Sequence, residues 1–151
     1  MAAAVCVHPG SVSQAVSASH PSSPGDQALE VVRRWAGAFP TADVEGLLAL
    51  FADEATFLGT TSGELVTNSE GIRAYFQEAL SQNRPRSARL LDYTVAVHSD
   101  AAAVVTGLDE VTGFKDGQSY SSFGRVTFVL EQREAGWKIV HLHRSAMPAK
   151  A

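Results

Sequence analysis

Two histidines stand two positions apart, His141 and His143, and Arg144 follows at once. On a β-strand, residues two apart share a face, so the imidazoles point one way and Arg144 the other unless the strand bends. Histidine exchanges protons near neutral pH, and beside a carboxylate it can move a proton next to a carbonyl. The carboxylates that could serve are Asp109 and Glu110. As strand neighbours they face opposite ways, so only one can join the histidines. Burial could also raise that acid's pKa until it acts as the base itself. Asp109, His141 and His143 therefore form the candidate acid/base set. The plainer reading makes the histidines hydrogen-bonded pocket lining or subunit contacts and Asp109 a strand-edge residue in water. Zinc takes three or four ligands, and the histidine pair is read as polar lining rather than as a metal centre.

Arg144 and Arg125 carry two alternatives each. Facing inward, a guanidinium clamps a carboxylate or phosphate; facing outward, it pairs with an acid at a subunit surface. A Tyr93 hydroxyl could donate to a ligand oxygen, although Tyr93, Tyr120, Phe57, Phe128, Trp35 and Trp137 also suit core or pocket wall. Thr60, Thr61 and Ser62 could bond a ligand or simply form a turn. No Gly-x-Gly-x-x-Gly or phosphate-loop Gly-Lys-Ser occurs, so no nucleotide or other cofactor is expected.

The elements that must position these residues follow from periodicity. Ala28, Val31, Val32, Trp35 and Phe39 fall on one helical face after a cap at Asp26, and Pro40 ends the run. Val44, Leu47, Leu48 and Phe51 form a second stripe behind Thr41 and Asp43. Short strands are expected at Ala55–Gly59 and Glu64–Val66. A third helix opens on the capping box Thr67-Asn68-Ser69-Glu70 and carries Ile72, Tyr75, Phe76, Ala79 and Leu80 up to Arg84-Pro85. The period then changes to two. Strands are expected from Leu91 to Val97, Ala101 to Val111, Ser119 to Leu130 and Trp137 to Ala146, with turns at Ser99-Asp100, Lys115-Asp116-Gly117 and Glu134-Ala135-Gly136. Helices followed by an antiparallel meander make an α+β domain. Glycines inside the strands let the sheet bend into a hollow cone.

A chain of 151 residues, 45% hydrophobic and 19% charged, is long enough for one packed domain with room for a pocket. Its net charge of −4 and lack of any basic block argue against nucleic acid. No apolar run approaches the roughly 20 residues of a membrane helix. Cys6 is the single cysteine, so the chain holds no internal disulfide. Residues 1–25, rich in Ser, Ala, Pro and His and without any charged side chain, are expected to form a disordered extension. They lack the cationic start of a secretory signal and the arginines of a transit peptide, which leaves a cytoplasmic location by default. His8 and His20 lie in that extension and are given no metal role. The folded domain is expected over residues 26–148.

Leu47-Leu48-Ala49-Leu50-Phe51-Ala52-Asp53-Glu54-Ala55-Thr56-Phe57 resembles the second helix and first strand of nuclear transport factor 2-like and SnoaL-like domains. Gly59-Thr60-Thr61-Ser62, then Glu70-Gly71-Ile72-Arg73-Ala74-Tyr75-Phe76, continues the likeness. The ending Gly136-Trp137-Lys138-Ile139-Val140-His141-Leu142-His143-Arg144-Ser145-Ala146-Met147-Pro148 is similar to the end of the association (hub) domain of calcium/calmodulin-dependent kinase II and to stand-alone bacterial relatives. The resemblance implies the cone fold, three helices packed on a curved sheet, dimerisation through the sheet and a central pocket. For the hub it also implies a ring of dimers and pocket arginines. Arg144 matches one of these within His-x-His-Arg-Ser. The position of a second falls on Phe128, with Arg125 nearby but out of register. The superfamily includes ketosteroid isomerase, scytalone dehydratase and polyketide cyclases, whose catalytic Asp and Tyr are marked by no motif here, so none is carried over. The expected function is a homodimeric small-molecule-binding domain. The alternatives are a cofactor-free isomerase, dehydratase or cyclase, or a hub-like oligomerisation module.

Overall fold

The computed structural model describes residues 22–149. Most of the expected extension, with Cys6, His8 and His20, lies outside the described residues.

Helix α1 spans Pro24–Gly37, two residues ahead of the expected start. Ser23 is its N-cap, accepting from the Asp26 N–H at 3.1 Å, and Pro24 sits where a missing N–H costs nothing. Ala28, Val31, Val32 and Trp35 are its buried stripe. Helix α2 is only Val44–Leu48, capped by Asp43, whose side chain accepts from Gly46 N–H at 2.9 Å. Phe51, expected on that helix, instead opens strand β1, Phe51–Leu58. The Phe51 ring packs edge-on against Phe57 and tilted against Phe76. The expected strand near Glu64 is a single bridge from Val66 to Phe57. Helix α3 covers Ser69–Ser81 and is capped by Asn68, which accepts from Gly71 N–H at 2.8 Å.

Strands β2 (Ser87–Ser99), β3 (Ala102–Lys115), β4 (Gln118–Arg133) and β5 (Gly136–Ala146) pair antiparallel in sequence order. The expected succession of three helices and then a four-strand meander needs amending. Strand β1 lies between α2 and α3 in the chain and pairs in parallel with β5, giving a five-stranded mixed sheet ordered β1-β5-β4-β3-β2. The β3–β4 turn is tight, with Asp116 and Gly117 both at positive φ, 54° and 79°, the geometry that suits a two-residue hairpin loop.

All three helices lie on one face of the sheet. That face buries Ala103, Val105, Val111, Val126, Phe128 and Leu130. Phe128 is fully buried and meets Trp35 edge to face at 5.1 Å. Trp137 Nε1–H donates to Gln27 Oε1 at 2.8 Å, tying β5 to α1. Strand β5 does not alternate regularly. Leu130 pairs with Ile139 and Val129 with His141, so Val140 is an extra residue, a bulge. Trp137 and Ile139 are buried before it, Leu142 and Arg144 after it.

Phe128 joins helix to sheet at the centre of this core. Phe128→Ala is expected to lower unfolding stability by about 3–5 kcal/mol, measured by urea denaturation. A loss under about 1 kcal/mol would mean that the α1–sheet contact is not central.

Candidate functional site

Beneath the helices lies a cavity of about 510 Å³. Trp35 and Phe39 close one side, Tyr75 and Leu80 of α3 another, and Val111 of β3 the floor. Its polar wall holds Thr60, Arg144, Ser122, Tyr120, Asn83 and Arg86. Glu78, exposed on α3, also borders it.

The bulge at Val140 decides which β5 side chains enter. Arg144 turns to the helix side and is 9% exposed; Asp109, on β3, is wholly buried. Arg144 Nε donates to both Asp109 oxygens at 2.9 Å, and Nη2 lies 2.8 Å from Oδ1. Nη2 also donates to the Ser122 carbonyl at 2.9 Å and Nη1 to Thr60 Oγ1 at 2.8 Å. A guanidinium has five N–H groups, and these contacts leave one, on Nη1. Gly124 makes room for this arrangement: a Cβ there would sit 2.5 Å from Arg144 Nη2. Asp109 does not itself line the cavity. It lies behind Arg144 and holds it in place.

Trp35 Nε1 is the one buried side-chain polar atom without a hydrogen-bond partner among the described residues, and its ring borders the cavity. A buried donor without a partner costs stability. Asn83 adopts φ 55°, a left-handed conformation that Asn tolerates better than most residues. Its carbonyl accepts from Phe114 N–H at 2.7 Å and its Nδ2 donates to Tyr120 Oη at 3.3 Å.

The structure does not assemble Asp109, His141 and His143. The histidines project from the opposite, helix-free face. His141 Nδ1 lies 2.7 Å from Thr56 Oγ1, its register partner on β1. Burial first, then the charge of neighbouring His143, holds His141 below the usual histidine range, with a backbone hydrogen bond to Thr56 opposing. Glu110 shares that outer face. Hydrogen bonds from Ser121 and then Arg89 hold its carboxyl below the usual range. Arg125 is exposed there too, donating to Ser145 Oγ at 3.2 Å. Tyr93 is 37% exposed on β2, away from the cavity lining. Of the expected ligand contacts, Arg144 and Thr60 share the cavity, while Arg125 and Tyr93 lie outside it. The sequence alone does not mark Asn83, Arg86 and Tyr75 as site residues, because a helix-stripe tyrosine and a loop Asn-Arg-Pro-Arg carry no local sign of a cavity.

Two outcomes follow. Asp109→Asn leaves the Arg144 cation buried without its counter-charge, which is expected to cost about 3–5 kcal/mol on urea denaturation; an unchanged midpoint would show that the pair contributes nothing net. For His141, a folded pKa below the unfolded one means the folded protein binds fewer protons, so its contribution is fully present above about pH 6.5 and is lost as pH falls through the lowered value. His141→Asn is therefore expected to flatten the fall in melting temperature on acidification, and an unaltered pH profile would remove His141 as its source.

Comparison with known proteins places this geometry. The SnoaL-like domain model matches residues 28–150. A Xanthomonas campestris structure named for the calcium/calmodulin dependent protein kinase II association domain is 25% identical, covering 99% of this chain and 95% of that one at a TM-score of 0.71. A nuclear transport factor 2-like superfamily protein from Salmonella enterica serovar Typhimurium is 23% identical over 85% of this chain and 93% of its own, TM-score 0.73. A ketosteroid isomerase-like protein from Erwinia carotovora atroseptica is 15% identical over 83% and 97%, TM-score 0.68. With its helices on one face of a bulged five-stranded sheet and a family match across most of its length, the chain belongs to the SnoaL-like domain family.

Proposed function

We propose that this chain is a small-molecule-binding domain whose ligand occupies the cavity between the helices and the sheet. The observation that carries the proposal is the cavity of about 510 Å³, which combines the apolar walls of Phe39, Tyr75 and Leu80 with Thr60, Tyr120 and the one free N–H of Arg144. A ligand with a compact apolar body and an oxygen acceptor would meet the Arg144 N–H while burying its body against Phe39, Tyr75 and Leu80. Binding is put ahead of proton transfer because the expected acid/base set is not assembled there: His141 bonds Thr56 on the other side of the sheet, and Asp109 is held behind Arg144.

The proposal includes a homodimer. The helix-free sheet face exposes Leu108, Phe114 and Phe123, with Met147 hydrogen-bonded beside Phe123. Apolar side chains gathered in this way mark protein contact surfaces, and a second copy with its own Phe123 would cover them symmetrically. A hub-like ring would need a further contact, and none of these residues supplies one.

A thermal-shift screen across apolar ketones, alcohols and carboxylic acids is expected to find ligands of the purified protein. Tyr75→Ala, which removes an apolar wall of the cavity, should weaken them about tenfold or more. A screen in which no class binds would overturn the binding proposal. Light scattering should report a dimer that Phe123→Arg converts to monomer; a wild-type monomer would remove the dimer.

A further inference from the structure

We infer that the cavity holds a carboxylate at Arg86, Asn83 and Tyr120, and not at Arg144. This deepens the binding proposal and rests on it. Two guanidiniums border the cavity, and they differ in the charge they have to offer. Arg144 is in contact with Asp109 at 2.8–2.9 Å through two of its nitrogens, so to a ligand it is a neutral donor. Among the described residues no carboxylate lies within ion-pair distance of Arg86. Its Nε donates to the Thr112 carbonyl at 3.1 Å and Nη1 to the Ala79 carbonyl at 2.7 Å, with Gln82 O at 3.5 Å. These bonds fix the head group against the cavity wall and leave Nη2 without a partner there.

Tyr120 and Asn83 complete the subsite. The Tyr120 oxygen accepts from Asn83 Nδ2, so its own proton can be given to a ligand. The two groups converge over Gly113: a Cβ on that residue would stand 2.8 Å from Tyr120 Oη and 3.0 Å from Arg86 Nε. One carboxylate can then take the Arg86 Nη2 and Tyr120 Oη protons together. Glu78 also borders the cavity, but it is exposed and unpaired with Arg86, and water screens it more than the half-buried guanidinium. With the anion at this end, the body lies along the apolar wall of Trp35 and Phe39, and a second oxygen meets Arg144 Nη1. The ligand class is an aromatic or alicyclic monocarboxylate with a keto or hydroxyl group at its far end.

The test compares two probes of equal shape, naphthalene-2-carboxylate and its neutral amide, by calorimetric titration of the full chain. Wild type is expected to prefer the carboxylate at least about tenfold, as a charge-assisted contact should provide. Arg86→Met is expected to abolish that preference, weakening the carboxylate at least about tenfold more than the amide, and Tyr120→Phe to reduce it. Arg86 also ties backbone carbonyls, so if Arg86→Met does not fold, Tyr120→Phe and the decline of the wild-type preference with added salt decide the matter. Equal binding of acid and amide to wild type, or a preference untouched by either substitution, overturns this inference while leaving the binding proposal intact. If neither probe binds and the broad screen is also empty, both fall.

Discussion

Arg144 can be buried only because Asp109 is buried against it. A lone guanidinium in the interior is costly, and the cost is met by a partner with both oxygens engaged and by the Ser122 carbonyl and Thr60 hydroxyl on its remaining donors. Those contacts span β3, β4, β5 and the loop after β1. The pair therefore sets how the open end of the sheet meets that loop, and it depends on one irregularity: without the bulge at Val140, regular alternation from Trp137 would have sent Arg144 outward and the histidines in.

Charge is thereby divided within one cavity. At the β5 end a cation and an anion neutralise each other and present a hydrogen-bond donor. At the α3–β2 connection Arg86 is anchored by backbone carbonyls alone. Between them lies an aromatic wall whose Trp35 edge meets Phe39 at 4.7 Å and Phe128 at 5.1 Å. Such packing holds the indole in one orientation. Affinity in a preformed pocket comes from a few placed polar groups against apolar surface, and this cavity is built in that way.

The opposite face of the sheet has a different chemistry. Thr56, His141 and His143 lie along the β1–β5 seam, and Glu110 is held by Arg89 and Ser121 further across. Leu108 and Phe123 stand among them. Burial first, and then the charge of neighbouring His143, disfavour the charged form of His141 at this seam.

By itself, the sequence determined the α+β class, the helical stripe through Val31, Val32 and Trp35, the order of the four later strands and the Asp116-Gly117 turn, because periodicity and turn chemistry are local properties. The ending from Trp137 to Pro148 carried the family as well. Local rules also showed that the two histidines share a face and that Arg144 takes the other. Which face meets the helices was decided only by tertiary structure, since one extra residue inverts the alternation and a bulge has no mark in the residues Ile139-Val140-His141. The helix boundary at Leu48 was settled the same way, when pairing with β5 drew Phe51 into a strand despite its place on the helical stripe. The cavity joins Trp35, Thr60, Asn83, Arg86, Tyr120 and Arg144, positions scattered along the chain, and only packing could bring them to one wall.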